Sequence, residues 1–160
     1  MIHEVTGDIL LTSAQTIAHG VAANDPMDGG LAKTLRECFP AMHKDFHHWC
    51  HVQHPDPGDA WLWNQDKRKF IACLLTQDGG YGHGTRAGKA TVANLNHALH
   101  ALKKIITKQK LRSVSMPKIG AGKGGLPWEE VRDVIQHQLG DIDADIFIYT
   151  QHIARQKAKE

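Results

Sequence analysis

The sequence predicts an α/β protein, a three-layer α/β/α sandwich on a central mixed β-sheet. Two patterns point to it. Short apolar or β-branched runs occur at 2–6, 16–21, 60–63, 70–76, 113–116 and 146–150, several without the polar alternation of a sheet wetted on one side. Amphipathic helical patterns separate them, so layers of helix are available to cover both faces. A length of 160 residues with 41% hydrophobic composition suits one domain with one core.

The helical patterns fall at 30–39, 41 to about 53, 87–107 and 128–139. In the third, Val92, Leu95, Leu99, Leu102 and Ile106 recur every three or four residues and draw one apolar stripe. In the fourth, Pro127 precedes Trp128, Val131, Val134, Ile135 and Leu139, a proline-started amphipathic helix. No repeat of 20–50 residues and no low-complexity linker divides the chain. Residues 1–151 therefore read as a single domain, and 152–160, QHIARQKAKE from 151 on, as a polar basic tail that frays or ends in a short helix.

Composition excludes several functions. Lys plus Arg number 19 against 17 Asp plus Glu, a balance that argues against a nucleic-acid footprint. No apolar run approaches a membrane span, and MIHEVTGD lacks the charged and apolar regions of a secretion signal, so a membrane partner is not expected. Cys38, Cys50 and Cys73 are odd in number and scattered, which suits buried thiols in a reducing cytoplasm rather than a disulfide framework.

The stretch SMPKIGAGKGGLPWEEV, at 115–131, places four glycines and a lysine between a strand pattern and a helix pattern. A P-loop would need glycine where Pro117 stands and a hydroxyl where Gly124 stands. A dinucleotide fingerprint fails on its G-A-G-K-G-G spacing and on its place near the end of the chain. Glycines 120, 122, 124 and 125 still allow backbone amides to converge on an anion at a helix N-terminus, and a diphosphate would suit them. A tight turn that only brings strand and helix close is the alternative. A second glycine-rich loop, AHGVAANDPMDGGLA at 18–32, also follows a strand and leads into a helix, and such turns meet at one crevice in an open α/β sheet. In VTGDIL, Asp8 follows the first strand, where a carboxylate can accept from an exocyclic amine or merely cap a turn.

Together VTGDIL, the loop after His19 and MPKIGAGKGGLPW resemble the macrodomains, ADP-ribose-binding α/β/α sandwiches. The likeness is nearest to the branch of the terminal ADP-ribose protein glycohydrolases and the yeast-type ADP-ribose-1''-phosphate phosphatase, and it spans roughly residues 1–151. FIACLLTQDGGYGHGTRAGKA also looks like the phosphatase's insertion before its long helix. The resemblance implies that Asp8 and the Ile9 backbone read adenine, with Tyr149 beside it, and that Gly120, Ala121, Gly122, Lys123, Gly124 and Gly125 cradle the diphosphate. It sets Asn24, Asp25, Asp28, Gly29 and Gly30 around the distal ribose. Two places depart from the glycohydrolase pattern: Gln77 stands for its lysine and Gly124 for its aspartate. An amide cannot form a Schiff base, so a covalent lysine adduct is not expected.

Hydrolysis of ADP-ribose from a carboxylate or phosphate needs a positioned water and a proton acceptor. His19 ends the second strand and has a counterpart in the phosphatase pattern, its alternative being a structural histidine. Asp25 and Asp28 either orient water or form Asx turns beside Pro26. His83 and Arg86 lie on a glycine-rich segment able to close on the site, and Thr76, Gln77 and Asp78 line the same cleft or a solvated loop. His43, His47, His51 and His54 recur at helical spacing, but they sit beside the core stripe of Met42, Phe46, Trp49 and Cys50 on a wet face, so no metal is expected and no cofactor. The tryptophans of AWLWN read as strand packing. The sequence thus predicts a monomer acting on ADP-ribose or ADP-ribosylated protein, removing mono-ADP-ribose from acidic side chains. The alternatives are an ADP-ribose-1''-phosphate phosphatase and a non-catalytic reader of ADP-ribosylated partners.

Overall fold

The computed structural model describes residues 1–79, 88–122 and 124–160. Its six strands are β1 (Ile2–Gly7), β2 (Thr16–Ala22), β3 (Ala60–Gln65), β4 (Lys69–Gln77), β5 (Ser113–Pro117) and β6 (Asp145–His152). The helices are α1 (Gly30–Cys38), α2 (Pro40–Gln53), α3 (Val92–Gln109) and α4 (Trp128–Leu139), with a 3-10 turn at Ile9–Leu11. The expected strands and helices are all present. One boundary moves by more than two residues: α3 begins at Val92, because Thr91 is extended and its side chain caps the Asn94 amide at 3.0 Å.

The strands form one sheet in the order β1-β6-β5-β2-β4-β3. All neighbours are parallel except the edge strand β3, which runs antiparallel to β4. Parallel strands need covering on both faces, and two apolar clusters supply it. On one face α3 and α4 contribute Leu95, Leu99, Leu102, Val131 and Ile135. On the other, α1 and α2 contribute Leu35, Met42, Phe46 and Cys50. The stripe expected in α3 is buried except for Val92, which is 42% exposed in the first turn.

The tryptophans of β3 pack as the sequence suggests: Trp61 lies 5.7 Å from Phe46 and 5.8 Å from Trp49, and Trp63 meets Phe39 edge-on. Three local expectations are corrected. Cys38 is exposed, because α1 buries only Leu35 fully, whereas Cys50 and Cys73 are buried, and none of the three is in a disulfide. His43 and His47 do not sit on a wet face; they are half-buried under the loop after β2, with His47 Nε2 2.8 Å from the Asp25 carbonyl. Segment 153–160 does not fray. It crosses back over β1, where Ile153 N donates to Gly7 O at 3.1 Å and Asp8 N to Gln156 O at 2.7 Å, and Ala158 is buried. Local composition could not signal this, since the contacts that hold the segment are long-range.

Phe46 is the largest fully buried side chain under the α2 layer. Phe46→Ala is expected to cost about 3–5 kcal/mol in urea unfolding, read as a lower midpoint at an unchanged slope.

Candidate functional site

The two glycine-rich loops meet at the carboxyl ends of β2, β4 and β5. β2 is paired with β4 along its whole length, but with β5 only through Thr16–Val114 and Ile17–Ser115. Beyond those pairs the strands part, and β5 ends at Pro117, which has no N–H to donate. The gap opens into a cavity of about 380 Å³. Of the residues singled out in the sequence, His19, Asp25, Asp28, Gly29, Gly30, Thr76, Gln77, Gly120, Gly122 and Gly124 line it. A second cavity, of about 470 Å³, adjoins it and holds Asp8, Ile9 and Tyr149. Gly30, Leu31 and Pro117 belong to both linings, so the two form one cleft across the sheet end.

Some expected residues lie elsewhere. Asn24 is exposed and lines neither cavity; its backbone N–H points at Cys50 Sγ, 3.3 Å away. Ala121 and Gly125 line neither, and their amides close turns inside the loop on Lys118 O and Gly122 O, both at 3.1 Å. Lys123, His83 and Arg86 lie outside the described residues.

What remains of the loop suits an anion. The amides of Gly120, Gly122 and Gly124 have no partner among the described residues, and all three residues face the cavity. Opposite them α1 begins at Gly30 with neither a side-chain cap nor an acidic residue in its first turn. Its unpaired N–H groups and positive dipole end therefore open on the same space.

Gly124 is glycine for steric reasons. A Cβ there would stand 2.5 Å from Gly120 O and 2.8 Å from Ala90 Cβ, and Ala90 N donates to Gly124 O at 3.0 Å. The chain entering α3 is thus clamped against the cradle. Gln77 joins the same clamp, its Nε2 donating to Gly88 O at 2.9 Å while the residue pairs with Ala90. Gln77 and Gly124, the two departures from the glycohydrolase pattern, both hold this junction.

His19 is fully enclosed, and burial pushes its imidazole down to about 4, so it is neutral near pH 7. Its Nε2 lies 3.2 Å from Cys73 Sγ, the residue opposite it in the β2–β4 register. Burial pushes the Cys73 thiol up, so the pair is neutral on both sides. Sequence reading missed Cys73, although strand register was its one available signal. His19 Nδ1 and Thr76 Oγ1 are buried without partners among the described residues, at two positions that line the cavity. Unsatisfied polar atoms beside a cavity mark a place for a polar ligand.

The carboxylates divide by role. Asp25 Oδ2 accepts from Ala22 N at 3.0 Å and Oδ1 from Met27 N at 2.8 Å, so its side chain folds the loop. Asp28 is exposed on the cavity rim, and its carboxylate has no partner among the described residues. Asp8 accepts from Leu10 N at 3.0 Å and from Arg155 N at 2.9 Å. A carboxylate has about four acceptor sites, so Asp8 keeps capacity for a ligand donor. The Tyr149 hydroxyl donates to Glu160 Oε2 at 2.6 Å, a partner that the sequence did not reveal. Among the described residues no cluster of three His, Cys, Asp or Glu side chains can hold a metal ion.

Two outcomes test this description. Because His19 titrates near 4 when folded and near 6.5 when unfolded, the unfolded chain binds the extra proton and stability falls as pH drops from 6.5 to 4. His19→Gln is expected to remove roughly 3 kcal/mol of that acid sensitivity, measured by urea unfolding across this range. Gly124→Asp is expected to destabilise the fold by about 1–3 kcal/mol, read as a lower melting temperature, because the new Cβ meets backbone that cannot yield cheaply.

A family model described as "Macro domain" matches residues 18–135. The chain is 26% identical over 147 residues to an ADP-ribose 1''-phosphate phosphatase of Candida albicans, covering 85% of this chain and 92% of the relative. It is 28% identical over 152 residues to the ADP-ribose glycohydrolase OARD1 of Homo sapiens, covering 91% and 89%. Among solved structures, the macrodomain of Thermus aquaticus DarG superposes with a TM-score of 0.81 at 23% identity, over 94% of this chain and 98% of that one. The match of the family model across most of the sheet and both glycine loops shows that the chain belongs to the Macro domain family.

Proposed function

We propose that this protein binds ADP-ribose and hydrolyses it from acidic side chains of modified proteins without a covalent lysine intermediate. The observation that carries the reading is the single cleft with an acceptor at one end and anion donors in its middle. Asp8 suits an adenine amine, the amides of Gly120, Gly122 and Gly124 face the uncapped start of α1 and suit a diphosphate, and Asp28, Gly29 and Thr76 flank the space left for the distal ribose. The similar phosphatase and glycohydrolase are both named for ADP-ribose, which supports the same ligand here.

The chemistry follows from which groups are available. Gln77 is an amide committed to Gly88 O, so no nucleophilic amine stands at that place. His19 is dry and weakly basic, and Asp25 is occupied by two amides. Asp28, wet and unencumbered, is the group we assign to accept a proton from the attacking water. Water adds its oxygen to the ribosyl ester, the ester C–O bond breaks, and the products are the free side-chain carboxyl and ADP-ribose, with one proton held in transit on Asp28. We read the protein as a monomer, and as one of the cytoplasm because its three cysteines are in no disulfide.

A phosphatase acting on ADP-ribose 1''-phosphate is the second reading, favoured by His19 lining the ribose end of the cleft. Calorimetry with ADP-ribose comes first, and absence of detectable binding overturns both readings. Incubation with ADP-ribosylated protein and, separately, with the 1''-phosphate then separates them: release from protein is expected, release of phosphate alone favours the second, and neither despite tight binding leaves a reader. Asp28→Asn is expected to slow release by about 100-fold or more while ADP-ribose affinity changes little.

A further inference from the structure

We infer that Glu160 is a positioning residue for base recognition: it latches segment 153–160 over β1 and thereby fixes the Asp8 carboxylate in the cleft. The inference rests on the ADP-ribose reading above and adds to it a determinant that lies outside both cavities.

The segment reaches Asp8 directly. Arg155 N donates to Asp8 Oδ2 at 2.9 Å, and Gln156 O accepts from Asp8 N at 2.7 Å. Gly7 leaves room for it, since a Cβ there would stand 2.8 Å from Gln156 O and 2.9 Å from Ala158 N. With Leu10 N on the other oxygen, one amide holds each oxygen of Asp8 and sets the plane of its carboxylate. Lifting the segment removes one of the two constraints and leaves the side chain to rotate.

Glu160 is what keeps the segment down. Its Oε2 accepts from the Tyr149 hydroxyl at 2.6 Å, lies 3.1 Å from Ser115 Oγ and also accepts from Thr12 Oγ1, while Oε1 accepts from Ser13 N at 2.8 Å. One carboxylate thus ties the chain just after the 3-10 turn to β5 and β6 through charge-assisted bonds. Burial alone would raise its pKa, but the hydroxyls of Thr12 and Tyr149 and the Ser13 amide outweigh that and hold it below the usual range. The hydroxyl of Tyr149 is pushed up to about 12, first by burial and then by Glu160, so it stays a donor. Arg155, the residue that presents its N–H to Asp8, has φ 62°, a left-handed conformation that a bulky side chain disfavours. Such a conformation persists only while the chain is held on both sides, by Gly7 and Asp8 before it and by Glu160 after it.

The test compares Glu160→Ala and the milder Glu160→Gln with the unaltered protein, using ADP-ribose and its hypoxanthine counterpart, which has a carbonyl in place of the exocyclic amine. The unaltered protein is expected to prefer the adenine ligand. Glu160→Ala is expected to weaken ADP-ribose about tenfold and leave the hypoxanthine ligand nearly unchanged, because only the amine uses Asp8. Glu160→Gln should fall between. Equal losses for both ligands, or no loss for either, overturn the latch. Amide exchange at Arg155 separates this from failure of the ligand reading: if the unaltered protein binds neither ligand, the ADP-ribose reading falls, and if Glu160→Gln leaves Arg155 exchange unchanged, the latch falls.

Discussion

The cleft exists because β2 and β5 part. They are neighbours in the sheet, yet they share only two residue pairs, and then their chains leave for opposite faces. β2 leads to α1 and the cluster around Phe46, whereas β5 leads to α4 and the cluster around Leu99. A parallel sheet must fill or line the crevice at such a reversal, and here both exits are made of glycine-rich loop rather than side chain. Backbone amides and a helix start are therefore what the gap presents. The parting begins after Ser115, while β5 stays paired with β6 as far as Pro117.

A second constraint fixes the rim. The chain returning at Gly88 into α3 is bonded to both Gln77 and Gly124, so the strand end and the cradle are joined through one short stretch. This gives a physical reason for the two residues that differ from the glycohydrolase pattern. Both positions carry contacts that hold the rim. Gln77 supplies a donor that spans to Gly88, and Gly124 supplies the absence of a side chain beside Ala90.

The layers were legible in the sequence because their signal is local. Apolar strand runs and the α3 stripe report burial on the residues that are buried, and the two loops announced themselves by glycine content. The pairing of loops into one cleft was legible by topology, since glycine turns at strand ends converge. The rest was not, and the reason is sequence distance. Cys73 becomes the partner of His19 only through strand register, and Arg155 and Glu160 reach Asp8, Thr12 and Ser115 across most of the chain. A polar, basic tail looks the same whether it waves in solvent or is pinned by one carboxylate.

The way this fold treats its acidic groups bears on where chemistry can occur. Glu160 leaves solvent in part only because hydroxyls and an amide converge on it, and Asp8 and Asp25 each gather two amides. For Glu160 these donors outweigh burial and hold the carboxyl below its usual range, while at Asp8 and Asp25 they engage both oxygens in holding the loops. His19 is removed from proton transfer by the opposite route, since burial disfavours its charged form. Asp28 has no hydrogen-bond partner among the described residues: it is exposed on the rim of the cavity that Gly30 and Thr76 also line. The carboxylates of Asp8 and Asp25 are thus engaged in holding the cleft, which is why our proposal gives the proton to Asp28.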